Sequence, residues 1–237
     1  MIQCSNIEVS NFDGAIRGMR NPMESWNKSD SYTTMDWDEQ KLCNIPKFIL
    51  GKKDKELAQK LLKAGSSHSK FMRQIFVSMD ITAPIYWWKQ MDTYKVATTG
   101  NSTSTMHKLT SEPLNISDFS FDKDLDNLVI YSTSIPHGGE YELVVRDAID
   151  DVLCACESLR KLYIKTRDKR YWRALIQILP ESYNQMRTWT GDYDTLRRIF
   201  FERQNHKLDE WFAFCSLITT LPYAPELICI EGEGKCY

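Results

Sequence analysis

Two separated stretches of this 237-residue chain hold side chains of the right type and spacing for chemistry. In the first, His68 precedes a hydroxyl run, TTGNSTST, with Lys89, Lys95, His107 and Lys108 close by. Hydroxyls and backbone N–H groups beside cations are the materials of an anion-cradling loop, and the bland alternative is a polar surface loop. The second stretch is Arg203-x-x-His206-x-x-x-Glu210. Read alone, it is a solvated set of helix-end charges, each pair contributing about a few tenths of a kcal/mol. His206 and Glu210 lack a third ligand in register, so no metal site is expected.

The elements that must position these residues follow from periodicity. Residues 1–50 read as an irregular extension, with a strand at the start (Ile2, Cys4, Val9) and loops around Trp26 and Trp37. Leu57, Leu61 and Leu62 predict a helix from Lys52 to Ala64, stopped by Gly65. Phe71 to Ile81 alternates as a strand, and Pro84 then opens a short aromatic helix, IYWWKQM. Glu140 to Lys165 carries the strongest helical stripe, including Val145, Ile149, Val152, Cys156 and Leu159. Further helices are expected over Lys169 to Ile178, from about Asp192 to Arg203 with Thr190 and Asp192 at its start, and from about Leu208 to Thr219. Short strands followed by helices make the fold class α+β: a small antiparallel sheet with packed helices and a mainly helical C-terminal half. One domain spanning 1–237 is expected, with the tail beginning at 226.

Composition excludes several classes. The formal charge of -2 is spread without long single-sign blocks, so nothing favours a polynucleotide or an anionic membrane. No apolar run approaches the roughly 18 residues of a membrane span, and the N-terminal MIQCSNIEVSNFDG has neither the basic start nor the apolar segment of a signal peptide, so the cytoplasm is the expected location. The seven cysteines are scattered; Cys154 and Cys156 would face different sides of a helix, and free thiols are expected. Cys229 and Cys236 flank the tail, with no metal-site spacing nearby. Trp87, Trp88, Trp172, Trp189 and Trp211 read as core or subunit-interface residues.

Taken together, the two stretches resemble the flavin-dependent thymidylate synthases (ThyX). In that family a histidine precedes a strand, an Ala-Pro helix start, a glutamine and the signature RHRxxSxxExSxRY. An ungapped match gives His68, Ala83, Pro84 and Gln90, with the signature on Thr93 to Met106. Lys95 stands at the second signature arginine, Thr98 and Thr103 at the two serines, and Ala97 at a small residue. The departures are Thr93 for the first arginine, Tyr94 for the histidine, Asn101 for the acid, Thr105 for the last arginine and Met106 for the tyrosine. Further along, Leu179-Pro180, Thr190-Gly191-Asp192, Leu196, Arg203, His206 and Glu210 follow the family's C-terminal order, with a loop after Arg203 one residue shorter than usual.

The resemblance implies a flavoprotein methyltransferase assembled as a homotetramer whose sites combine subunits. It would bind FAD and dUMP, with NADPH and methylenetetrahydrofolate as cosubstrates. It assigns ring activation to Arg203, substrate contacts to Gln90, Thr103 and Arg203, and cofactor contacts to His68, Lys95, Thr98, Asp192 and His206. Two arginines absent from a phosphate site would weaken nucleotide binding by roughly two to four powers of ten. A catalytically inactive nucleotide-binding protein on the same scaffold is therefore the second reading, and a carboxylate at Asp192, in place of asparagine, would repel a reduced anionic flavin.

Overall fold

The computed structural model describes residues 2–39, 42–132 and 141–230. In chain order the strands are β1 (Gln3–Ser10), β2 (Tyr32–Asp38), β3 (Cys43–Ile49), β4 (Phe76–Pro84), β5 (Thr99–Ser102), β6 (Val129–Ser132), β7 (Tyr141–Val144) and β8 (Asn184–Asp192). The helices are α1 (Phe12–Arg20), α2 (Lys52–Lys63), α3 (Ile85–Met91), α4 (Thr105–Lys108), α5 (Val145–Thr166), α6 (Lys169–Ile178), α7 (Tyr193–Arg203), α8 (Asp209–Thr220) and α9 (Ala224–Leu227). The class is α+β, with a small antiparallel sheet and packed helices. The chain folds into two compact units: a sheet unit (Ile2–Ile81, Thr93–Asn101, Thr188–Tyr237) and a helix-pair unit (Thr82–Asp92, Ser102–Arg187).

The four-stranded sheet runs in the order β1-β4-β8-β5. Alternation along β4 buries Val77, Met79, Ile81 and Ala83 on one face, as a half-buried strand requires. On the other face Asp80 ties three strands together, accepting from Asn6 Nδ2 of β1 at 2.7 Å and from Thr188 Oγ1 of β8 at 2.5 Å. Those two bonds, Thr188 first, hold its carboxyl below the usual aspartate range.

The 1–50 stretch is structured where the sequence reads as loops. α1 buries Phe12, Ala15, Ile16 and Met19 at helical spacing, although Gly14 and Gly18 lower its intrinsic propensity; packing decides. Phe12 stacks on Phe48 at 5.3 Å and meets Tyr193 and Tyr223 edge-on at 5.7 and 5.5 Å. The stretch around Trp37 is an antiparallel hairpin, β2 with β3, in the register Tyr32↔Ile49 to Asp38↔Cys43. Pro46 is tolerated in β3 because it lies in a two-stranded ribbon with an open edge.

Buried Asp54 of α2 fastens this region. Its Oδ1 accepts from Arg20 Nε at 2.5 Å, and its Oδ2 from the hydroxyls of Ser29 and Ser31 at 2.7 Å and the backbone of Asp30 and Ser31 at 3.0 Å. Burial pushes the carboxyl up, but the Ser29, Ser31 and Arg20 bonds outweigh it and the net direction is down.

In the helix-pair unit, α5 lies along α6 around a core of Leu109, Cys156 and Leu175. The helix expected from Glu140 begins at Val145: Tyr141–Val144 instead pairs with β6, Val129↔Val144 to Ser132↔Tyr141, as a β-branched, aromatic run can. Glu140 itself lies outside the described residues. α6 has the bounds expected, capped by Asp168, whose carboxylate accepts from Arg170 N at 2.9 Å. Residues 71–74, expected in a strand, form a 3-10 turn, Lys70–Gln74, that buries Phe71 and Met72. Cys154 is exposed and Cys156 buried, on different sides of α5 as expected. Trp87, Trp88, Trp189 and Trp211 are buried within the chain.

Replacing Asp54 by alanine leaves Arg20 buried without its carboxylate, and we expect a loss of about 3–5 kcal/mol, read as a lower urea midpoint at unchanged slope. Because the native carboxyl titrates below 3.8, this stabilisation is present above that value and is lost as pH falls through the lower native one. The acid limb of a stability-against-pH curve should therefore flatten in Asp54→Ala.

Candidate functional site

Within the sheet unit, β8 delivers the chain to α7. Asp192 caps that helix, its Oδ1 accepting from Thr195 N at 2.7 Å, and is 3% exposed. Burial pushes its carboxyl up despite the cap. Tyr193 N anchors the junction by donating to Ile75 O at 3.1 Å. Eleven residues on, Arg203 closes the last turn, where a cation complements the helix C-terminus.

Arg203 is held by the first stretch. Its Nε donates to Tyr94 Oη at 2.9 Å, and the Tyr94 hydroxyl donates to Glu202 Oε2 at 2.7 Å. The guanidinium carbon stands 4.9 Å from the Trp211 ring centroid and 5.6 Å from that of Tyr94, so it sits against two aromatic faces. Arg198 lies 5.4 Å over the Tyr94 ring. Tyr94 is buried at 4% exposure; burial and Glu202 push its phenol up to about 12, against the lowering by Arg203. The group is thus a fixed cation with a permanently neutral phenol, suited to polarising a bound ligand and unsuited to proton abstraction near neutrality.

His206 completes the turn. Its backbone N–H donates to Arg203 O at 3.0 Å, and its Nδ1 accepts from Leu208 N at 3.1 Å, ahead of α8. Burial, then Arg203, lowers its pKa from 6.5, so the ring stays a neutral acceptor.

The hydroxyl-rich stretch divides. Thr98 Oγ1 donates to Tyr94 O at 2.5 Å, closing a turn in which Ala97 takes a left-handed φ of 60°. Thr99–Ser102, expected as a cradling loop, is strand β5, paired with β8. Lys95 is exposed. His68 is exposed too, in a turn after α2 where its backbone N–H meets Gly65 O at 3.0 Å. Gln90 and Thr103 belong to the helix-pair unit. Gln90 is half-buried on α3; Thr103 Oγ1 donates to Met186 O at 3.3 Å. In the same unit Arg187 lies 4.2 Å over the Trp88 ring and donates to Asp92 at 2.7 Å.

A cavity of about 330 Å³ opens in the sheet unit between β1, β4, β8 and the Ala97 turn. Glu8, Ser10, Phe76, Ser78, Thr190 and Gly191 are among its lining residues. A Cβ on Gly191 would come within 2.4 Å of the Trp189 ring, so that wall requires glycine. Hydroxyls, a carboxylate and an aromatic ring suit an uncharged heterocycle; no cation among the lining would receive a phosphate. Among the described residues no three metal-ligating side chains converge, and no helix is long and apolar enough to cross a membrane.

The sequence pointed to Arg203 and His206 but counted Tyr94 only as a departure; the signal available was a phenol at a position otherwise occupied by a hydrogen-bonding ring. Glu202, Arg198 and the cavity residue Glu8 were not anticipated.

Solved structures with the same architecture exist. The flavin-dependent thymidylate synthase ThyX of Helicobacter pylori, complexed with FAD and dUMP, superposes with a TM-score of 0.62 at 17% identity over 96% of this chain and 97% of that one. The UMP/dUMP methylase PolB of Streptomyces cacaoi, bound with 5-Br dUMP, gives 0.59 at 13% over 96% and 93%. This chain has the ThyX fold. No protein-family model and no curated protein sequence matches it.

Tyr94→Phe removes the hydroxyl between Arg203 and Glu202 while keeping the ring; we expect about 1–2 kcal/mol less stability with circular dichroism unchanged. Protonating His206 removes the Leu208 N–H acceptor. Its native pKa lies below 6.5, so the contribution is present above 6.5 and is lost as pH falls through the native value. NMR titration should place the His206 imidazole below 6.5, and His206→Gln should reduce the decline in stability on that side.

Proposed function

We propose that this chain is a thymidylate-synthase-like protein that binds a pyrimidine nucleotide of the dUMP type, with Arg203 polarising the ring. The observation that carries this reading is the 2.9 Å bond from Arg203 to Tyr94, which joins the two stretches that match the family motif. A guanidinium held by two rings and a phenol is preorganised, so it needs no rearrangement when charge develops on a pyrimidine carbonyl. On this reading Gln90 and Thr103 complete the nucleotide contacts, with copies of the chain contributing to one another's sites in a homotetramer.

FAD binding and reductive methylation are the finer part of the proposal. FAD would supply the hydride, with NADPH and methylenetetrahydrofolate as cosubstrates. The residues present fit its parts unequally. The hydroxyl-lined cavity beside Ala97 and Gly191 suits an uncharged ring. The diphosphate would depend on Lys95, with His68, Thr98 and His206 as further contacts, since residues 93 and 105 are threonines. Asp192 would act through α7, its carboxylate already capping that helix.

A second reading, nucleotide binding without flavin chemistry, is favoured by Tyr94. Where the family signature has histidine, this side chain is buried and bonded to both Glu202 and Arg203.

Purified protein should show a raised melting temperature with dUMP, and Arg203→Ala should abolish the shift. No response to dUMP at millimolar concentration would end the nucleotide reading. A flavin absorption band, on isolation or after FAD addition, supports the enzyme; its absence with dUMP binding retained selects the second reading. Exposed Thr93→Arg should tighten FAD uptake by roughly ten- to a hundredfold if the signature register is correct.

A further inference from the structure

We propose that a second cavity, between α1 and the hairpin of β2 and β3, binds a free α-amino acid with a single aromatic ring. The cavity encloses about 220 Å³ within the sheet unit and shares no lining residue with the one beside Gly191. That volume lies below the roughly 300 Å³ at which drug-sized sites begin, so it admits one ring and a short chain. Ile16 and Phe48 give it apolar surface. The Trp26 indole adds an aromatic wall held in place by its Nε1, which donates to Asn21 Oδ1 at 2.8 Å.

The polar lining offers open positions of both signs. Asp13 and Arg17 stand one turn apart on α1, in the order that favours an ion pair, with Cβ atoms about 5–6 Å from one another. Among the described residues they form none. Asp13 instead accepts from Thr33 Oγ1 at 2.7 Å through Oδ2, leaving Oδ1 open, and no acceptor among the described residues holds Arg17. Buried Arg20 also lines the cavity; its Nε donates to Asp54 and its Nη1 to Ser25 O at 3.3 Å, so Nη2 has no acceptor among the described residues. Ser29 Oγ donates to Asp54 at 2.7 Å and therefore offers a ligand only its lone pairs.

A zwitterion answers this set. Its carboxylate would accept from Arg17 and Arg20 Nη2, while the ammonium on the same carbon would donate to Asp13 Oδ1 and Ser29 Oγ, a separation that one helical turn matches. The ring would lie against Trp26 and Phe48. A nucleotide phosphate would meet Asp13 with like charge, and an uncharged base would leave both charges unanswered. The cavity is also separate from Arg203: Phe12 meets Tyr193 at the start of α7, and Arg203 stands about 15 Å further along that helix.

Calorimetry on the full chain tests this with three probes: L-phenylalanine, phenethylamine, which lacks the carboxylate, and 3-phenylpropionate, which lacks the amine. L-Phenylalanine should bind, and each truncated probe should bind roughly tenfold more weakly or worse. Arg17→Gln should remove the advantage of L-phenylalanine over phenethylamine, Asp13→Asn its advantage over 3-phenylpropionate, and Trp26→Leu should weaken all three. These positions are exposed, and Asp13→Asn keeps an acceptor for Thr33, so circular dichroism and the urea midpoint should change little. No heat with L-phenylalanine at millimolar concentration overturns the proposal. So does a truncated probe that binds as tightly as the amino acid, or binding indifferent to all three variants.

Discussion

The arginine at the end of α7 holds a fixed orientation because neighbouring groups restrain it. A guanidinium is weakly hydrated and planar, so it lies against the rings of Tyr94 and Trp211 while its Nε finds the tyrosine oxygen. The phenol donates its own hydrogen bond to Glu202. The result is a cation whose side-chain entropy is already reduced before any ligand arrives, which lowers the entropy lost on binding. Both boundaries of this arrangement are capped: Asp192 fixes where α7 starts, and His206 fixes the turn into α8, which brings Trp211. A shift of either cap would move the guanidinium relative to its rings.

The electrostatics of the sheet unit separate two tasks. Positive charge is concentrated around Tyr94, where Arg198 and Arg203 approach the same ring. The cavity beside the Ala97 turn carries hydroxyls and Glu8. A ligand with an anionic end and an uncharged ring meets complementary surroundings at each, whereas a ligand anionic throughout would be repelled from the cavity. Tyr94 to Thr98 links the two, since one turn supplies both the phenol and the cavity wall, closed by the Thr98 hydroxyl on the Tyr94 carbonyl.

Helices α2, α6, α7 and α8 were legible to within a residue or two because their apolar spacing is a local property, and Asp192 announces α7 in the sequence. β4 was legible from its alternation. β8 was not: NQMRTWTGD has no alternating apolar face, and it becomes a strand because β4 and β5 lie on either side of it, with Thr188 bonded to Asp80. α1 was hidden by its two glycines and β3 by Pro46, each overridden by packing or by an edge position. Of the candidate site, Arg203 and His206 were visible as types at a spacing. Their partners were not, because the Tyr94–Arg203 bond spans 109 positions of sequence and nothing local encodes it.

Tyr94 also decides what charge stands beside Arg203. Thr93, Tyr94 and Thr105 carry no charge to offer a diphosphate, where each charged hydrogen bond would contribute about 1.5–3 kcal/mol. It does not follow that the remaining site is empty of purpose. The phenol buries an aromatic ring beside Trp211 at 6.3 Å and supplies a bond to Arg203, so the guanidinium is restrained by a group that is neutral across the physiological range. A histidine at the same place would titrate there and alternate between supporting and repelling Arg203. The phenol therefore restrains Arg203 through a group whose protonation does not change near neutrality, where a histidine's would.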